Sequence, residues 1–207
     1  YEIADRDWSS DVCSSDQTMQ SSDGRRILIG WMQSWENRIY PPESNWVGMM
    51  TIPRELTLRN QRVYQSPVRE ITEYYTRTFE VPKTLIRSEV DFPGVEGESF
   101  DMEVELFGRD YQEFEIKIGN PDGKHISFSY DRKEKQIAVD RTYSGLTKDV
   151  ICHRRQKVRD YQDKFKVRLL RDRYSLEVFV GDGEYVMSMY FFLPEGSKAP
   201  TRSEERR

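Results

Sequence analysis

Cysteine is almost missing from this 207-residue chain: Cys13 and Cys152 are the only two. Two cysteines cannot build a disulfide framework or a structural zinc site. Histidine is as scarce, and His125 and His153 are each isolated from any Cys or Asp cluster at metal spacing. No metal and no cofactor are expected. No apolar run approaches the roughly 18 residues that a membrane helix needs, so no membrane span is expected. A surplus of one charge is lacking too: 32 Lys and Arg face 36 Asp and Glu, a formal net charge of −4. Nucleic-acid binding draws on a basic surplus gathered on one face, and no nucleic-acid partner is expected. There is no internal repeat and no low-complexity run. What is present is aromatic: 12 Tyr, 10 Phe and 4 Trp. A disordered chain would lack them. The length suits one domain, or one domain plus part of another.

The two ends stand apart. Residues 6–16, Arg-Asp-Trp-Ser-Ser-Asp-Val-Cys-Ser-Ser-Asp, follow neither a period of 2 nor one of 3.6. They resemble the translation of a sequencing adapter, and so does Arg-Ser-Glu-Glu-Arg-Arg at 202–207. Residues 1–16 and 202–207 are therefore expected to be foreign to the fold. The natural chain is expected to cover 17–201 here and to be truncated on both sides. Cys13 falls in the first of these segments, which leaves Cys152.

Two blocks follow. In the first, Ile27-Leu28-Ile29 is a short apolar run ending at Gly30-Trp31, as in a buried strand. Val47 to Ile52 is a second strand candidate, stopped by Pro53. Leu56 and Leu58, then Val63 and Tyr64, predict short strands around a turn at Arg59-Asn60-Gln61. Residues 66–76 read as a short helix or linker. The second block, 77–201, alternates more regularly. Met102, Val104 and Leu106 are separated by Glu103 and Glu105; Phe114, Ile116 and Ile118 by Glu115 and Lys117. After a turn at Asn120-Pro121-Asp122-Gly123, the pattern resumes at Ile126, Phe128 and Tyr130, then at Ile137 and Val139. It returns at Phe165, Val167 and Leu169, and at Tyr174, Leu176, Val178 and Val180. Gly181-Asp182-Gly183 signals a hairpin into Tyr185–Phe192. Period-2 alternation means one wet and one buried face, hence antiparallel sheets. The fold class expected is all-β, an antiparallel β-sandwich.

The motifs carry a resemblance. Gly24-Arg25-Arg26-Ile27-Leu28-Ile29-Gly30-Trp31-Met32-Gln33-Ser34-Trp35 resembles the last propeller blade of glycoside hydrolase family 32, the invertases, levanases and inulinases. Gly48-Met49-Met50-Thr51-Ile52-Pro53-Arg54-Glu55-Leu56 is similar to that family's Met-Thr-Leu-Pro-Arg-Glu-Leu segment. Gln65-Ser66-Pro67-Val68-Arg69-Glu70 resembles its link out of the propeller. Asp140-Arg141-Thr142-Tyr143-Ser144-Gly145 and the stretch from Leu170 to Glu184 resemble two of its sandwich motifs. The order and spacing hold over nearly all of 17–193. The resemblance implies the last blade of a five-bladed β-propeller over 17–65, a linker over 66–76 and a β-sandwich over 77–201.

It also implies a retaining β-fructofuranosidase or fructanase, acting on sucrose or fructans. That chemistry pairs an aspartate nucleophile with a glutamate acid/base about 5–5.5 Å away, so that a glycosyl-enzyme forms and water then resolves it. The family's Asn-Asp-Pro, Arg-Asp-Pro and Glu-Cys motifs for these carboxylates are absent from the sequence. Asn120-Pro121-Asp122 has the wrong order, and Arg109-Asp110 lacks the proline. No catalytic residue is therefore assigned, and the fragment alone is expected to be inactive. The implied partners are a fructose-containing oligo- or polysaccharide and the upstream propeller of the same chain, with homodimer formation through the sandwich as a further expectation. The implied location of the whole protein is extracellular or periplasmic.

Trp31 is the leading substrate-binding candidate, because the resemblance aligns it with a tryptophan lining the terminal-fructose pocket. An indole offers an apolar wall to a sugar face and an N–H to a hydroxyl. The competing reading is a blade-core tryptophan. Trp35 is the second candidate, against packing; Trp46 reads as packing at a loop base. Arg54 and Glu55 read as a structural ion pair joining propeller and sandwich rather than a catalytic pair. Glu103/Glu105 and Glu113/Glu115 share faces at i, i+2, but as solvated strand positions. Lys164, Lys166 and Arg168 read the same way, and Cys152 as a semi-buried thiol without a base to activate it. Two rival functions stay open. One is a fructan-binding module with exposed aromatics, for which Tyr111, Tyr130, Tyr143 and Tyr161 are the candidates. The other is a structural or oligomerising sandwich.

Overall fold

The computed structural model describes residues 17–33, 40, 45–86, 89–92, 97–119, 123–145, 147, 151–193 and 201–206. Four strands come first: β1 (Gln17–Gln20), β2 (Arg26–Ile29), β3 (Arg54–Arg59) and β4 (Arg62–Pro67). They form one antiparallel sheet in the order β1-β2-β3-β4. The β3–β4 hairpin turns at Asn60 and Gln61, both with positive φ (50° and 65°), the left-handed pair that matches the twist of a two-residue hairpin. Leu58 and Val63 flank that tip and are exposed. Val47 to Ile52 is not a strand. It makes a single bridge, Met50 opposite Trp31, because Gly48 turns the chain at φ +96° and Pro53 ends any ladder.

A 3-10 helix, Arg69–Tyr74, follows, where a short helix or linker was expected. The remaining strands are β5 (Glu89–Asp91), β6 (Phe100–Phe107), β7 (Glu113–Gly119), β8 (His125–Asp131), β9 (Gln136–Asp140), β10 (His153–Lys157), β11 (Lys164–Asp172), β12 (Ser175–Val180), β13 (Tyr185–Tyr190) and β14 (Thr201–Arg206). They build two sheets, β10-β9-β8-β7-β14-β5 and β13-β12-β11-β6. Their inner faces share one core: Ile116, Ile118, Phe128 and Tyr130 from the first, Phe165, Leu169, Leu176 and Val178 from the second. Tyr130 stacks on Phe165 at 4.1 Å between ring centroids. The fold is thus an all-β antiparallel sandwich preceded by a four-stranded blade. The turn expected at Asn120-Pro121-Asp122 lies outside the described residues.

One strand departs from the sequence reading. Residues 202–207 were set apart from the fold, yet Thr201–Arg206 runs between β7 and β5 and pairs with both. Two neighbouring strand edges leave rows of unpaired N–H and C=O groups, and an extended segment satisfies both rows whatever its side chains.

The second sheet is covered on its outer face as well. β12 is buried along its whole length: Leu176, Val178 and Val180 enter the sandwich core, while Glu177 and Phe179 point the other way, toward the blade. There Ile52 and Ile71 pack on Leu170, Phe179 and Val186, and Met32 and Met49 pack on Tyr190 and Phe192. Gln65 of β4 donates its backbone N–H to the Gly183 carbonyl in the β12–β13 turn at 3.0 Å. Among the described residues no helix is long and apolar enough to cross a membrane.

Candidate functional site

Trp31 sits where β2 gives way to a loop, on a short ladder against residues 49–51. Met32 N–H donates to the Met49 carbonyl at 2.7 Å, and Thr51 N–H to the Gly30 carbonyl at 2.8 Å. Thr51 Oγ1 accepts from Gly30 N–H at 2.9 Å. The indole lies over Gly48: a Cβ there would stand 2.7 Å from Trp31 Cη2. Gln33, buried, accepts the Gly48 N–H on its Oε1 at 2.9 Å. Trp31 itself is half-buried. The sequence therefore seats the ring on a glycine that is also required by its positive φ, and the indole Nε1 is buried. Trp35 lies outside the described residues.

Trp46, read from the sequence as loop-base packing, is 41% exposed. Its ring approaches Tyr174 of the sandwich, with centroids 6.0 Å apart and planes tilted by 47°. Sequence reasoning missed this pairing, because Tyr174 follows β11 in the chain and only docking brings it to residue 46. The fructan-module candidates disperse. Tyr111, Tyr130 and Tyr161 are buried in the sandwich core, and only Tyr143 is exposed, stacked on His125 at 5.1 Å. They form no sugar platform: Tyr130 is on the inward face of β8, and Tyr111 and Tyr161, in the segments before β7 and β11, fold over the same core.

Arg54 and Glu55 are not a pair with each other. Arg54 is 2% exposed and Glu177 1%. Arg54 Nε donates to Glu177 Oε2 at 3.0 Å, and its Nη2 makes the ion pair with the same oxygen. Arg54 also donates to Gln65 Oε1 at 2.9 Å and to Ser188 Oγ. Ile52 N–H donates to Glu177 Oε1 at 2.7 Å. Burial pushes the Glu177 carboxyl up, and Arg54 with the Ile52 N–H offsets that only in part. The role expected, joining blade to sandwich, falls to Arg54 with a partner from β12. Glu55 instead takes Arg25 at 2.7 Å and Arg69 at 3.3 Å. Arg25 also binds Glu70 and Asp23. The Arg25 guanidinium holds Glu70 at about 2. Asp23, bound first by the Ser21 hydroxyl and then by Arg25, is also lowered to about 2.

Of the other charged candidates, Glu103, Glu105 and Lys164 are exposed, as expected, whereas Glu113, Glu115, Lys166 and Arg168 are half-buried. Lys164 pairs with Glu105 at 2.6 Å, Lys166 with Glu103 at 3.0 Å and Arg168 with Asp101 at 2.6 Å. This ladder neutralises the basic run on the outer face of β6 and β11. Cys152 is half-buried, with Sγ 3.9 Å from the Thr147 carbonyl. His125 contacts the Gly123 carbonyl, and His153 accepts from Arg155. Among the described residues no three His, Cys, Asp or Glu side chains gather as metal ligands.

Two family models meet end to end on this chain. Residues 2–67 match the N-terminal domain of the glycosyl hydrolases family 32, and residues 68–204 match the C-terminal domain of the same family. The chain belongs to glycosyl hydrolase family 32. Among its relatives is a levanase of Bacillus subtilis (strain 168), 31% identical over 206 residues, which cover 93% of this chain and 30% of the relative. A sucrose-6-phosphate hydrolase of Zymomonas mobilis is 30% identical over 81% of this chain and 33% of its own length. A family 32 β-fructofuranosidase of Bombyx mori superposes with a TM-score of 0.63 at 25% identity, over 93% of this chain and 40% of the other. The chain thus spans between 22% and 38% of the length of the curated relatives it matches.

Proposed function

We propose that this chain is the C-terminal part of a retaining β-fructofuranosidase or fructanase, with Trp31 as a wall of the pocket for a terminal fructosyl unit. The observation that carries the reading is the family match through both halves in sequence order, residues 2–67 and then 68–204. The relatives named levanase and sucrose-6-phosphate hydrolase narrow the reaction class to cleavage of fructosyl bonds. The domain reading goes with it: blade over 17–65, linker over 66–76, sandwich over 77–201. A polymeric fructan cannot enter a cell unaided, which favours an extracellular or periplasmic place for the whole protein.

In this reading the chain holds sugar but does not cleave it. Retaining hydrolysis needs a nucleophile and a proton donor on either side of one glycosidic bond, and the family's motifs for both are missing from the sequence. What this chain supplies is the indole of Trp31, seated on Gly48, and a sandwich that braces the blade carrying it. A half-buried indole accepts the apolar C–H face of a furanose while nearby polar groups meet its hydroxyls. The test is direct. The purified 207-residue chain is incubated with sucrose, inulin and levan, and fructose release is measured. No turnover is expected; release above a denatured control would overturn the reading. Fusing the chain to the upstream propeller of a relative should restore turnover, and Trp31→Ala in the fusion should raise KM more than it lowers kcat.

A further inference from the structure

We propose that Trp46, Tyr174 and Arg173 form an accessory subsite for a neutral fructose-containing chain, at the seam between blade and sandwich. The proposal rests on the fructoside reading of Trp31 and extends it along the substrate. Trp46 and Trp31 are served by one segment. Gly48, two residues after Trp46, carries the Trp31 indole, and Met50 bridges Trp31. Trp46 is 41% exposed in this chain, a large apolar ring with a polar N–H.

The second wall is rigid. Tyr174 lies in the turn between β11 and β12, and its carbonyl accepts the Phe191 N–H at 2.9 Å. Its ring packs on Phe192 at 5.4 Å, which packs on Tyr190 at 5.8 Å. The Arg141 guanidinium stands over the Tyr190 ring, 4.4 Å from its centre. Trp46 and Tyr174, with centroids 6.0 Å apart and planes tilted by 47°, therefore pack on each other and present one joined aromatic surface. At its rim, the Arg173 guanidinium stands 5.1 Å from the Tyr174 ring centre and pairs with Glu98 at 3.4 Å, both half-exposed. This is the chemistry of a sugar site: apolar faces for C–H groups and charged donors and acceptors for hydroxyls. Because Glu98 already answers the charge of Arg173, the site suits a neutral polyol rather than an anion. One wall comes from the blade and the other from the sandwich, so a ligand that touches both also favours their docked arrangement.

The experiment is calorimetric titration of the 207-residue chain with fructose and with levan- and inulin-type oligosaccharides of increasing length. Affinity is expected to rise with length. Trp46→Ala should abolish that rise and weaken binding of the longer oligosaccharides about tenfold, leaving fructose unaffected. Trp46→Phe should retain most of it. Arg173→Met, a surface change that leaves the aromatic walls in place, should weaken the longer ligands several-fold and guards against a folding defect in Trp46→Ala. Trp31→Ala should weaken all lengths alike. If Trp46→Ala and Arg173→Met match the parent chain at every length while Trp31→Ala still weakens binding, the accessory subsite is wrong and the fructoside reading stands. If no fructose-containing sugar binds at all, both are overturned.

Discussion

Gly48 illustrates how one residue can set a site without touching a ligand. Its φ of +96° disfavours any side chain, and the Trp31 indole occupies the space a Cβ would need. Gly48→Ala should cost about 1–3 kcal/mol from backbone strain and displace the indole as well. Denaturant unfolding would give the first quantity, and a shift in tryptophan emission of the native state would report the second. Trp46 teaches the complementary lesson. Sequence context alone read it as packing, since nothing local distinguishes a covered indole from an open one. Its exposure depends on where Tyr174 stops, and Tyr174 arrives from another part of the chain.

At the scale of elements, the alternation of apolar and polar residues was a faithful guide wherever a strand had one wet face. In β7, Phe114, Ile116 and Ile118 point inward as their spacing implies. It understated β12, where both faces are buried. The polar member that should have been wet, Glu177, is instead received by Arg54. It failed at Val47–Ile52, where glycine and proline override a hydrophobic run. The turn after β12 adds a constraint that period cannot express. Gly183, at φ +90°, would place a Cβ 1.8 Å from the Gln65 carbonyl oxygen of β4. Gly183→Ala must therefore push the blade hairpin off the sandwich turn. A loss of about 2 kcal/mol or more is expected, read by thermal unfolding, whereas alanine at Gly108, where a Cβ meets nothing, should cost less.

The contact between blade and 3-10 helix carries its own pH signature. Glu70 falls from its ordinary 4.5 to about 2 through its hydrogen bonds with Arg25, and Asp23 falls from 3.8 to about 2. A carboxyl lowered in the folded state stabilises it above the unfolded value. That contribution is lost as pH falls through the folded value. The network should therefore hold at pH 4 and dissolve between about 4 and 2. Carboxyl titration by NMR should place the Glu70 midpoint near 2. Arg25→Gln should return it toward the ordinary glutamate range; a midpoint that does not move would rule out this assignment.

For the whole molecule, the decisive contact is the buried Arg54–Glu177 pair. Removing one partner strands a charge away from water, which costs about 3–5 kcal/mol, while replacing both by apolar residues of similar volume is often neutral. Glu177→Gln should therefore loosen blade from sandwich, and Arg54→Met with Glu177→Leu should restore much of the loss. All four tryptophans precede residue 47, whereas β5 to β14 supply most of the sheet. Among the described residues, Trp31 and Trp46 both belong to the blade, so their emission follows it, and far-ultraviolet circular dichroism mostly follows the sandwich. The parent chain should lose both signals together on heating, and Glu177→Gln should lose the emission signal first. Coincident transitions in that variant would remove the pair from its joining role.

By itself the sequence determined the all-β class, the strand faces of the sandwich, the turns at Asn60-Gln61 and Gly181-Asp182-Gly183, and the family through the order of its motifs. These are local properties: a strand's two faces are written in its own residues, and a turn in its own φ angles. Only the tertiary structure decided that Arg54 answers Glu177, 123 residues away, that three candidate tyrosines are core, and that Trp46 meets Tyr174. Which faces meet is settled by the joint packing of distant sheets, where burial, shape and the need to partner every buried charge are satisfied together.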